Sequence, residues 1–290
     1  MEPGESQMGL MFCTCWNDHI SLKLQKCGRL IQLIVLAQLL AVILPYIVSV
    51  SKNIVPAFLP LVSEAGGYPP ASGIFSICLI LNAFCGFMVY PIFYVTISHR
   101  NIKDNKLIRV CNKLTLIFLM ISLWGNIVIA NSPVGYTDVP NMYIWVTSVL
   151  TEHFIGTFLF ISGLLISQQT ITAIWWLLPD TEKRDKYIKA AILVIIFVLL
   201  LSALYSFYVV ILEELGPDPT NLEPMKFKFY DLSKVYSPNH VLTSFSEYIF
   251  CVLPILALLN HFKDFQRVSF RLVLRHKSCM AESSEPMTII

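Results

Sequence analysis

The stretch IVPAFLPLVSEAGGYPPASGIF, residues 54–75, decides the fold because it lies between two long apolar runs and cannot itself form a regular helix. It contains four prolines, a Gly-Gly pair and one carboxylate, Glu64. Proline lacks an N–H group and fixes φ, and glycine adopts positive φ without strain, so the segment is irregular. Irregular backbone cannot face lipid, because its free N–H and C=O groups would remain unsatisfied there. We therefore expect the stretch to lie in water, at a membrane interface, or buried against helices.

The composition around this stretch is that of a polytopic membrane protein. The chain has 290 residues, of which 56% are hydrophobic and 14% charged, whereas soluble domains carry about 25% charged residues. A spanning helix needs roughly 20 mainly apolar residues. Six runs qualify, at about residues 30–50, 73–97, 114–130, 153–176, 188–212 and 242–262. We predict an all-α polytopic membrane protein with a six-transmembrane helix bundle at residues 30–262, an N-terminal segment at 1–29, and a basic juxtamembrane helix and tail at 263–290.

The distribution of cations predicts the orientation of this bundle. Of the 21 Lys and Arg residues, 17 fall in the two terminal segments and in the loops after the second and fourth runs. Short loops rich in Lys and Arg stay in the cytoplasm, so both termini are expected to be cytoplasmic and residues 54–75 exoplasmic. No predicted exoplasmic loop holds a cysteine, so no disulfide framework is expected there. Cys13 and Cys15 precede the first run, where palmitoylation and ordinary reduced thiols are both consistent with the sequence.

Several polar residues are predicted at the exoplasmic end of the bundle. The direction in which each run is threaded places Glu64, Asn126, Asn131, His153 and Glu247 near one level. An ionisable residue inside a membrane is costly unless it is paired, so Glu247 is a functional candidate. The structural alternative is that Glu247 only forms a hydrogen bond with a loop or a neighbouring helix. Our hypothesis is that Glu64, His153 and Glu247 hold the loop onto the bundle.

The C-terminal segment is predicted to contact lipid headgroups. Four cations recur every four residues after the sixth run, namely Lys263, Arg267, Arg271 and Arg275. On a helix that spacing forms one basic stripe. We therefore expect the sixth helix to continue into the cytoplasmic interface, with these cations contacting anionic lipid. The last three residues, TII, also fit the Ser/Thr-x-apolar C-terminus that PDZ domains bind by strand addition.

Motifs of catalysis and cofactor binding are missing from the sequence. It contains no Gly-rich phosphate loop, CxxC pair, HExxH or GxSxG motif. We predict that the protein is not an enzyme, needs no cofactor or metal, and has the lipid bilayer rather than nucleic acid as its partner.

The order of several short motifs resembles the DRAM family, the damage-regulated autophagy modulators, and their fasting-inducible six-transmembrane relatives. In the first loop and the start of the second run, the matching residues are Pro60, Ser63, Glu64, Gly66, Pro69, Pro70, Ser72, Gly73, Ile74 and Phe75. In the third and fourth runs they are Gly125, Ile127, Val128, Ala130, Asn131, His153, Gly156, Phe160 and Gly163. At the two ends of the sixth run they are His240, Glu247, Tyr248, Asp264, Phe265 and Gln266.

The chain departs from the family pattern at three positions in these motifs. Ala71 stands where the family has Glu, Glu64 replaces Asp, and Tyr248 replaces Trp. The resemblance implies a non-enzymatic regulator in lysosomal, endosomal or plasma membranes, with modulation of autophagy as its first expected role. A plasma-membrane organiser of phosphoinositide or lipid machinery, acting with a kinase scaffold, is the second. A lipid (GPI-anchor) remodelling factor and a channel modulator are further alternatives.

Overall fold

The computed structural model describes residues 11–16, 19–24, 27–135, 146–179, 181–215, 238–266 and 270–275. Six long helices dominate this part of the chain: α1 (Gly28–Ser51), α3 (Ala71–Arg100), α4 (Lys106–Asn131), α5 (Thr151–Leu177), α6 (Lys183–Leu215) and α7 (Pro238–Gln266). A four-residue helix, α2 (Val62–Ala65), interrupts the first loop, residues 52–70. A π-helical turn, Val146–Leu150, leads into α5.

These helices are long enough for a membrane, and each predicted apolar run lies within one of them. The shortest of the six has 24 residues, about 36 Å at 1.5 Å per residue, and so exceeds a hydrocarbon core of about 30 Å. Within the described residues, four helices have the length and composition to cross a membrane, namely Gly28–Ser51, Ala71–Arg100, Lys106–Asn131 and Ser148–Leu177. The chain is therefore a helical integral membrane protein.

The long helices pack as a closed ring. Each packs against the next along the chain, and α1 also packs against α7, which closes the ring. The centre holds a continuous apolar core in which Ile31, Ile97, Leu123 and Ile174 are fully buried. Elements that are consecutive in the chain are usually adjacent in space, and the order of the helices around the ring follows that rule.

Helices α4 and α5 approach each other closely along a line that we call the glycine seam, made of Gly125, Gly156 and Gly163. A Cβ atom added to Gly125 would lie 2.4 Å from the backbone nitrogen of Phe160, and one added to Gly163 would lie 2.6 Å from the carbonyl oxygen of Phe118. Small residues permit such contact in membrane helices, where lipid supplies no hydrophobic drive for association. The Ser122 hydroxyl adds a hydrogen bond of 3.1 Å to the carbonyl of Phe160.

A small antiparallel sheet joins the two terminal segments and corrects one expectation. Its strands are β1 (Met11–Trp16), β2 (His19–Leu24) and β3 (Phe270–Arg275), in the order β1-β2-β3. The sixth long helix ends at Gln266, so the predicted helix through Arg275 is wrong. The physical reason is that a repeat of four residues is also a multiple of the two-residue repeat of a strand. In FRLVLR, residues 270–275, every second position is a large apolar residue (Phe270, Leu272 and Leu274), and two of the three positions between and after them are arginines.

The register of the sheet defines two faces. Leu22 is paired with Cys13 and with Leu272, and Lys23 is paired with Phe12 and with Arg271. Cys13 and Cys15 therefore share a face with the apolar positions of β2 and β3, whereas Arg271 and Arg275 share the opposite face with Lys23. The predicted single stripe is replaced, because Lys263 lies in α7 and Arg271 and Arg275 lie in β3. Arg267 and the C-terminal TII lie outside the described residues.

Candidate functional site: a carboxylate clasp on the first loop

The first loop begins with a sharp turn that the end of α1 imposes. Asn53 has a φ of 54°, in the left-handed region. The Ile54 N–H donates to the Ser49 carbonyl at 2.8 Å, and the Asn53 N–H donates to the Val50 carbonyl at 3.0 Å. This pair of bonds is the Schellman motif that ends many helices, and asparagine tolerates its left-handed position better than most residues. The chain therefore reverses at once instead of continuing the helix.

Two hydroxyl groups on α1 then hold the loop against the helix. The Ser49 hydroxyl donates to the Ala65 carbonyl at 2.7 Å in a buried position. The Tyr46 hydroxyl donates to the Ala57 carbonyl at 2.6 Å. Neither Tyr46 nor Ser49 is among the candidates predicted from the sequence. The sequence feature that could have indicated them is a hydroxyl-bearing side chain in the last two turns of an apolar run, just before a proline-rich loop.

Two carboxylates meet the start of α2, and we call this arrangement the carboxylate clasp. Glu64 reaches back within the loop, and its Oε2 accepts from the Leu61 N–H at 3.2 Å. Glu247, on α7, accepts from the Val62 N–H at 2.8 Å through Oε2 and from the Ser63 N–H at 3.4 Å through Oε1. Three successive backbone N–H groups are thus satisfied by two side chains, one of them 185 residues away in sequence from Val62.

The electrostatics of the clasp follow from the geometry of a helix start. The first N–H groups of a helix have no partner within the helix and carry partial positive charge, so carboxylates bind there favourably. Glu64 is 5% exposed. Within the described residues, no Lys, Arg or His forms an ion pair with Glu247, so backbone N–H groups are its observed partners. The hydroxyls of Ser244 and Tyr248, on the same helix, are buried without a hydrogen-bond partner in the described part.

The glycines and prolines of the loop complete its packing. A Cβ atom on Gly66 would lie 2.8 Å from the Phe75 ring, and one on Gly67 would lie 2.9 Å from the backbone nitrogen of Gly135. Gly66 therefore leaves room for the Phe75 ring, and Gly67 lets two segments of backbone pass closely. Pro69 and Pro70 are exposed and joined by a cis peptide bond, and Pro70 lies immediately before the first residue of α3.

Asn131, Glu152 and His153 lie at the end of the bundle that carries the first loop, and none of their hydrogen bonds within the described residues reaches that loop. His153 is buried, and its Nδ1 lies 2.8 Å from the carbonyl oxygen of Ser132. Glu152 accepts a 2.9 Å hydrogen bond from the Ser132 hydroxyl. His153 thus ties α5 to the end of α4, whereas our hypothesis had assigned it to the loop. Asn131 ends α4 and is exposed.

Asn126 belongs to a chain of buried amides at the centre of the ring. Its Nδ2 donates to Asn82 Oδ1 at 3.3 Å, and Asn82 Nδ2 donates to Gln38 Oε1 at 2.9 Å. The three amides link α4, α3 and α1 beside a cavity of about 60 Å³, which has room for a few water molecules. The asparagines were visible in the sequence as polar residues within apolar runs, whereas Gln38 was missed.

The Asp-Phe-Gln motif at the end of α7 has a packing role. Phe265 is buried, and its ring stacks on Phe93 with centroids 6.1 Å apart. The side chain of Gln266 lies against Gly28, where an added Cβ atom would be 2.8 Å from Gln266 Cγ. The backbone of Asp264 lies in α7, and its side chain is outside the described part of the structure.

The opposite end of the ring, which we call the basic end, brings cations from different helices together. The Arg100 guanidinium, at the end of α3, lies 4.7 Å from the centroid of the Trp175 ring, and the Lys189 ammonium, in α6, lies 4.4 Å from it. Cations over an aromatic face are attracted by its quadrupole. Two of the basic segments seen in the sequence therefore meet at one end of the bundle.

A ring of long apolar helices, four of them able to cross a membrane, with a clasped first loop defines a class of integral membrane protein. The comparison with protein families gives its family. The family model described as Frag1/DRAM/Sfk1/Cwh43P N-terminal domain matches residues 28–268. The match covers most of the chain, from the first residue of α1 to just beyond the last residue of α7. The protein therefore belongs to the Frag1/DRAM/Sfk1/Cwh43P family. No curated protein and no solved structure matches it.

Proposed function

We propose that all six long helices cross the membrane, that both termini are cytoplasmic, and that the first loop lies on the lumenal or outer side. The positive-inside distribution supports this orientation. The sheet supports it independently, because β2 precedes α1 and pairs with β3, which follows α7. Two paired strands lie on the same side, so an even number of crossings separates them.

Within this topology, the protein acts as a non-enzymatic regulator of lysosomal membranes that modulates autophagy, and the clasped first loop is its recognition surface. The observation that carries this proposal is the carboxylate clasp. Glu64 and Glu247 accept hydrogen bonds from backbone N–H groups, a structural use of carboxylates that gives an irregular loop one shape. A preshaped loop binds a partner with less loss of conformational entropy than a mobile one. Family membership supports a role in membranes.

The test uses cells from which the gene has been deleted and to which a tagged protein is returned. We expect the wild type to localise to lysosomes and restore autophagic flux, and Glu247→Ala to localise normally but fail to restore flux. Glu152→Ala is the matched control, because it removes a carboxylate at the same end that contacts Ser132. A plasma-membrane signal with unchanged flux after deletion would refute the proposal.

A second candidate function is the organisation of anionic lipid, including phosphoinositides, at the cytoplasmic face of the plasma membrane, with a kinase scaffold as partner. It is favoured by the sheet register, which places Lys23 beside Arg271 on the face that also carries Arg275. Cations near an anionic surface contribute about 1 kcal/mol each. Replacing Lys263, Arg267, Arg271 and Arg275 by Gln is expected to reduce lipid recruitment, and unchanged recruitment would exclude this function.

The remaining alternatives have separate tests. A lipid (GPI-anchor) remodelling factor requires a nucleophile on the first-loop side without which lipid turnover stops. A channel modulator requires a current, or a change in a partner's current, in patch recordings from reconstituted protein.

A further inference from the structure

A hollow of about 210 Å³ lies at the basic end, between the last turns of α3 and the first turns of α4. Its lining includes Tyr94 and Ser98 from α3, Asp104 from the turn, and Arg109 and Asn112 from α4. It is separate from the carboxylate clasp, which lies at the other end of the helices. No step of the proposed function uses it.

The walls of the hollow are fixed before any ligand arrives. The Asn101 side chain brackets the turn, since its Nδ2 donates to the Asn105 carbonyl at 3.0 Å and its Oδ1 accepts from the Asn105 N–H at 2.9 Å. Asn105 in turn caps α4 by accepting from the Leu107 N–H at 2.9 Å. Asp104 has a φ of 48° and forms an ion pair with Arg109. The turn is therefore preorganised by its own polar groups.

Asn112 provides an acceptor that no residue in the described part of the chain uses. Its Nδ2 donates to the Tyr94 carbonyl at 2.8 Å and to the Ser98 hydroxyl at 3.0 Å. Because the Tyr94 carbonyl can only accept, the amide nitrogen must face α3, and Oδ1 must face away. Oδ1 is buried, and no group in the described part of the chain donates to it. A buried acceptor without a donor is destabilising, so a donor from outside would bind favourably.

The charged residues around the hollow favour a negatively charged ligand. Residues 100–113 of this hairpin include five cations and a single acid, Asp104, and Lys103, Lys106 and Lys113 are exposed. Arg109 lies three residues before Asn112 on α4, so the two side chains are neighbours on one helix face. In its ion pair with Asp104, the Arg109 side chain is 49% exposed and the Asp104 side chain is 74% exposed. Ion pairs as exposed as this one are weak. Arg109 can therefore exchange Asp104 for a phosphate while the Asn101–Asn105 hydrogen bonds keep the turn in place.

We infer that the α3–α4 hairpin binds a phosphate-bearing ligand that also carries hydroxyl or ammonium donors, with Arg109 contacting the phosphate and Asn112 Oδ1 accepting from the donor. This is the chemistry of a hydroxylated phospholipid headgroup or of a free phosphorylated polyol. It rests on the hairpin alone and would survive failure of the autophagy proposal.

The test is a binding titration of the full-length protein in detergent, followed by native mass spectrometry. Phosphatidylglycerol and phosphatidylmethanol serve as probes, because both are singly anionic but only the former carries headgroup hydroxyls. We expect phosphatidylglycerol to bind about tenfold more tightly, a ratio equivalent to about 1.4 kcal/mol. Equal binding of the two lipids by the wild type would overturn the inference.

Four variants divide the site into its parts. Asn112→Leu is expected to abolish the preference for phosphatidylglycerol, and Arg109→Gln to weaken both lipids about tenfold. Asp104→Asn frees Arg109 and is expected to tighten both about threefold, whereas Asp185→Asn at the α5–α6 turn makes the same charge change elsewhere and should have little effect. Ser98→Ala removes a bond from Asn112 but leaves Oδ1 free, so it should keep the preference. This separates a loss of folding from a loss of recognition.

Soluble glycerophosphoglycerol distinguishes the two sources of ligand. Competition by the soluble compound at concentrations similar to those of the lipid identifies a free phosphorylated polyol, and competition by the lipid alone identifies a membrane headgroup. A preference that persists in Asn112→Leu would contradict the assignment for both sources.

Discussion

The glycine seam and the carboxylate clasp stabilise the same ring of helices by opposite means. In the seam, α4 and α5 approach because Gly125, Gly156 and Gly163 have no side chains, and backbone atoms occupy the space that a Cβ atom would need. In the clasp, contact depends on long side chains, since Glu247 reaches from α7 to two N–H groups of a loop. The glycine seam is therefore disrupted by adding an atom to a glycine, whereas the carboxylate clasp is disrupted by removing a carboxylate oxygen.

The two regions also differ in what they connect. The seam joins helices that are consecutive in the chain, so it defines the packing of neighbours. The clasp joins Val62 to Glu247 across 185 residues and fixes an irregular segment that has no helix of its own longer than α2. We expect damage to the seam to prevent folding and damage to the clasp to release the loop from a folded bundle.

The largest effect is expected from Gly125→Val in the seam. Its Cβ would lie 2.4 Å from the Phe160 nitrogen and 2.6 Å from the Gly156 carbonyl oxygen, so the backbone of α4 or α5 must shift at this point. We expect a loss of stability of about 3 kcal/mol or more, at the upper end of overpacking costs. Thermal unfolding in detergent and the monodisperse fraction in size-exclusion chromatography measure it. Gly73→Ala is the control, because nothing lies within 4 Å of its added Cβ atom; equal damage from both would refute the seam.

The next largest effect is expected from Glu247→Ala, which leaves the N–H groups of Val62 and Ser63 without acceptors. A lost acceptor of this kind costs about 1–3 kcal/mol, and we expect about 2 kcal/mol in favour of the released loop. Hydrogen exchange at Val62 and Ser63 should accelerate while exchange in α4 and α5 stays unchanged. Glu247→Gln keeps one oxygen acceptor, so its effect should be about half as large. Acceleration throughout the bundle would mean that the clasp supports the whole fold.

Much of the fold could be predicted because membrane helices have a strong sequence signal. Each of the six apolar runs lies within one long helix, and the irregular stretch was evident from its prolines and glycines. The sequence did not predict that α4 begins at Lys106, because its first turns are polar and depend on the Asn105 cap. It also misassigned residues 270–275, since the spacing of Arg271 and Arg275 fits both a helix and a strand.

The candidate site was predictable only in part. Glu247 was predicted because it is a carboxylate within an apolar run, and Glu64 because it is the one carboxylate of the irregular loop. That both accept hydrogen bonds from the N–H groups at the start of α2 depends on how α7 packs against α2, which the sequence does not show. Our hypothesis placed His153 at the first loop because the direction in which a helix crosses the membrane predicts the depth of a residue. It does not predict the position of that residue around the ring. Ser49 and Asn112 were not predicted, because the role of a single hydroxyl or amide group depends on which carbonyl group lies within hydrogen-bonding distance, and the sequence does not show this.

A smaller effect is expected from Ser49→Ala, which removes the buried hydrogen bond to the Ala65 carbonyl at the far end of α2. We expect a cost of about 1 kcal/mol, typical of one hydrogen bond. Exchange of the Ala65 and Gly66 amides should accelerate, while Glu247 still retains Val62 and Ser63. Ser51→Ala provides the control, because the Ser51 hydroxyl bonds within α1 to the Val48 carbonyl. If Ser49→Ala released the whole loop, the hydroxyl rather than the carboxylates would be the main attachment.

The smallest effect is expected from Asn53→Gly at the turn that starts the loop. Asn53 holds a φ of 54°, and glycine adopts this conformation without a Cβ penalty but loses more entropy on folding, so the two terms nearly cancel to within about 0.5 kcal/mol. Asn53→Ala retains the Cβ atom without the local hydrogen bonding of asparagine and is expected to cost about 1 kcal/mol. Thermal unfolding of the three proteins checks the order. If glycine were as damaging as alanine, the Asn53 side chain rather than the backbone angle would stabilise the turn, and the clasp would extend further along the loop than Glu64 and Glu247.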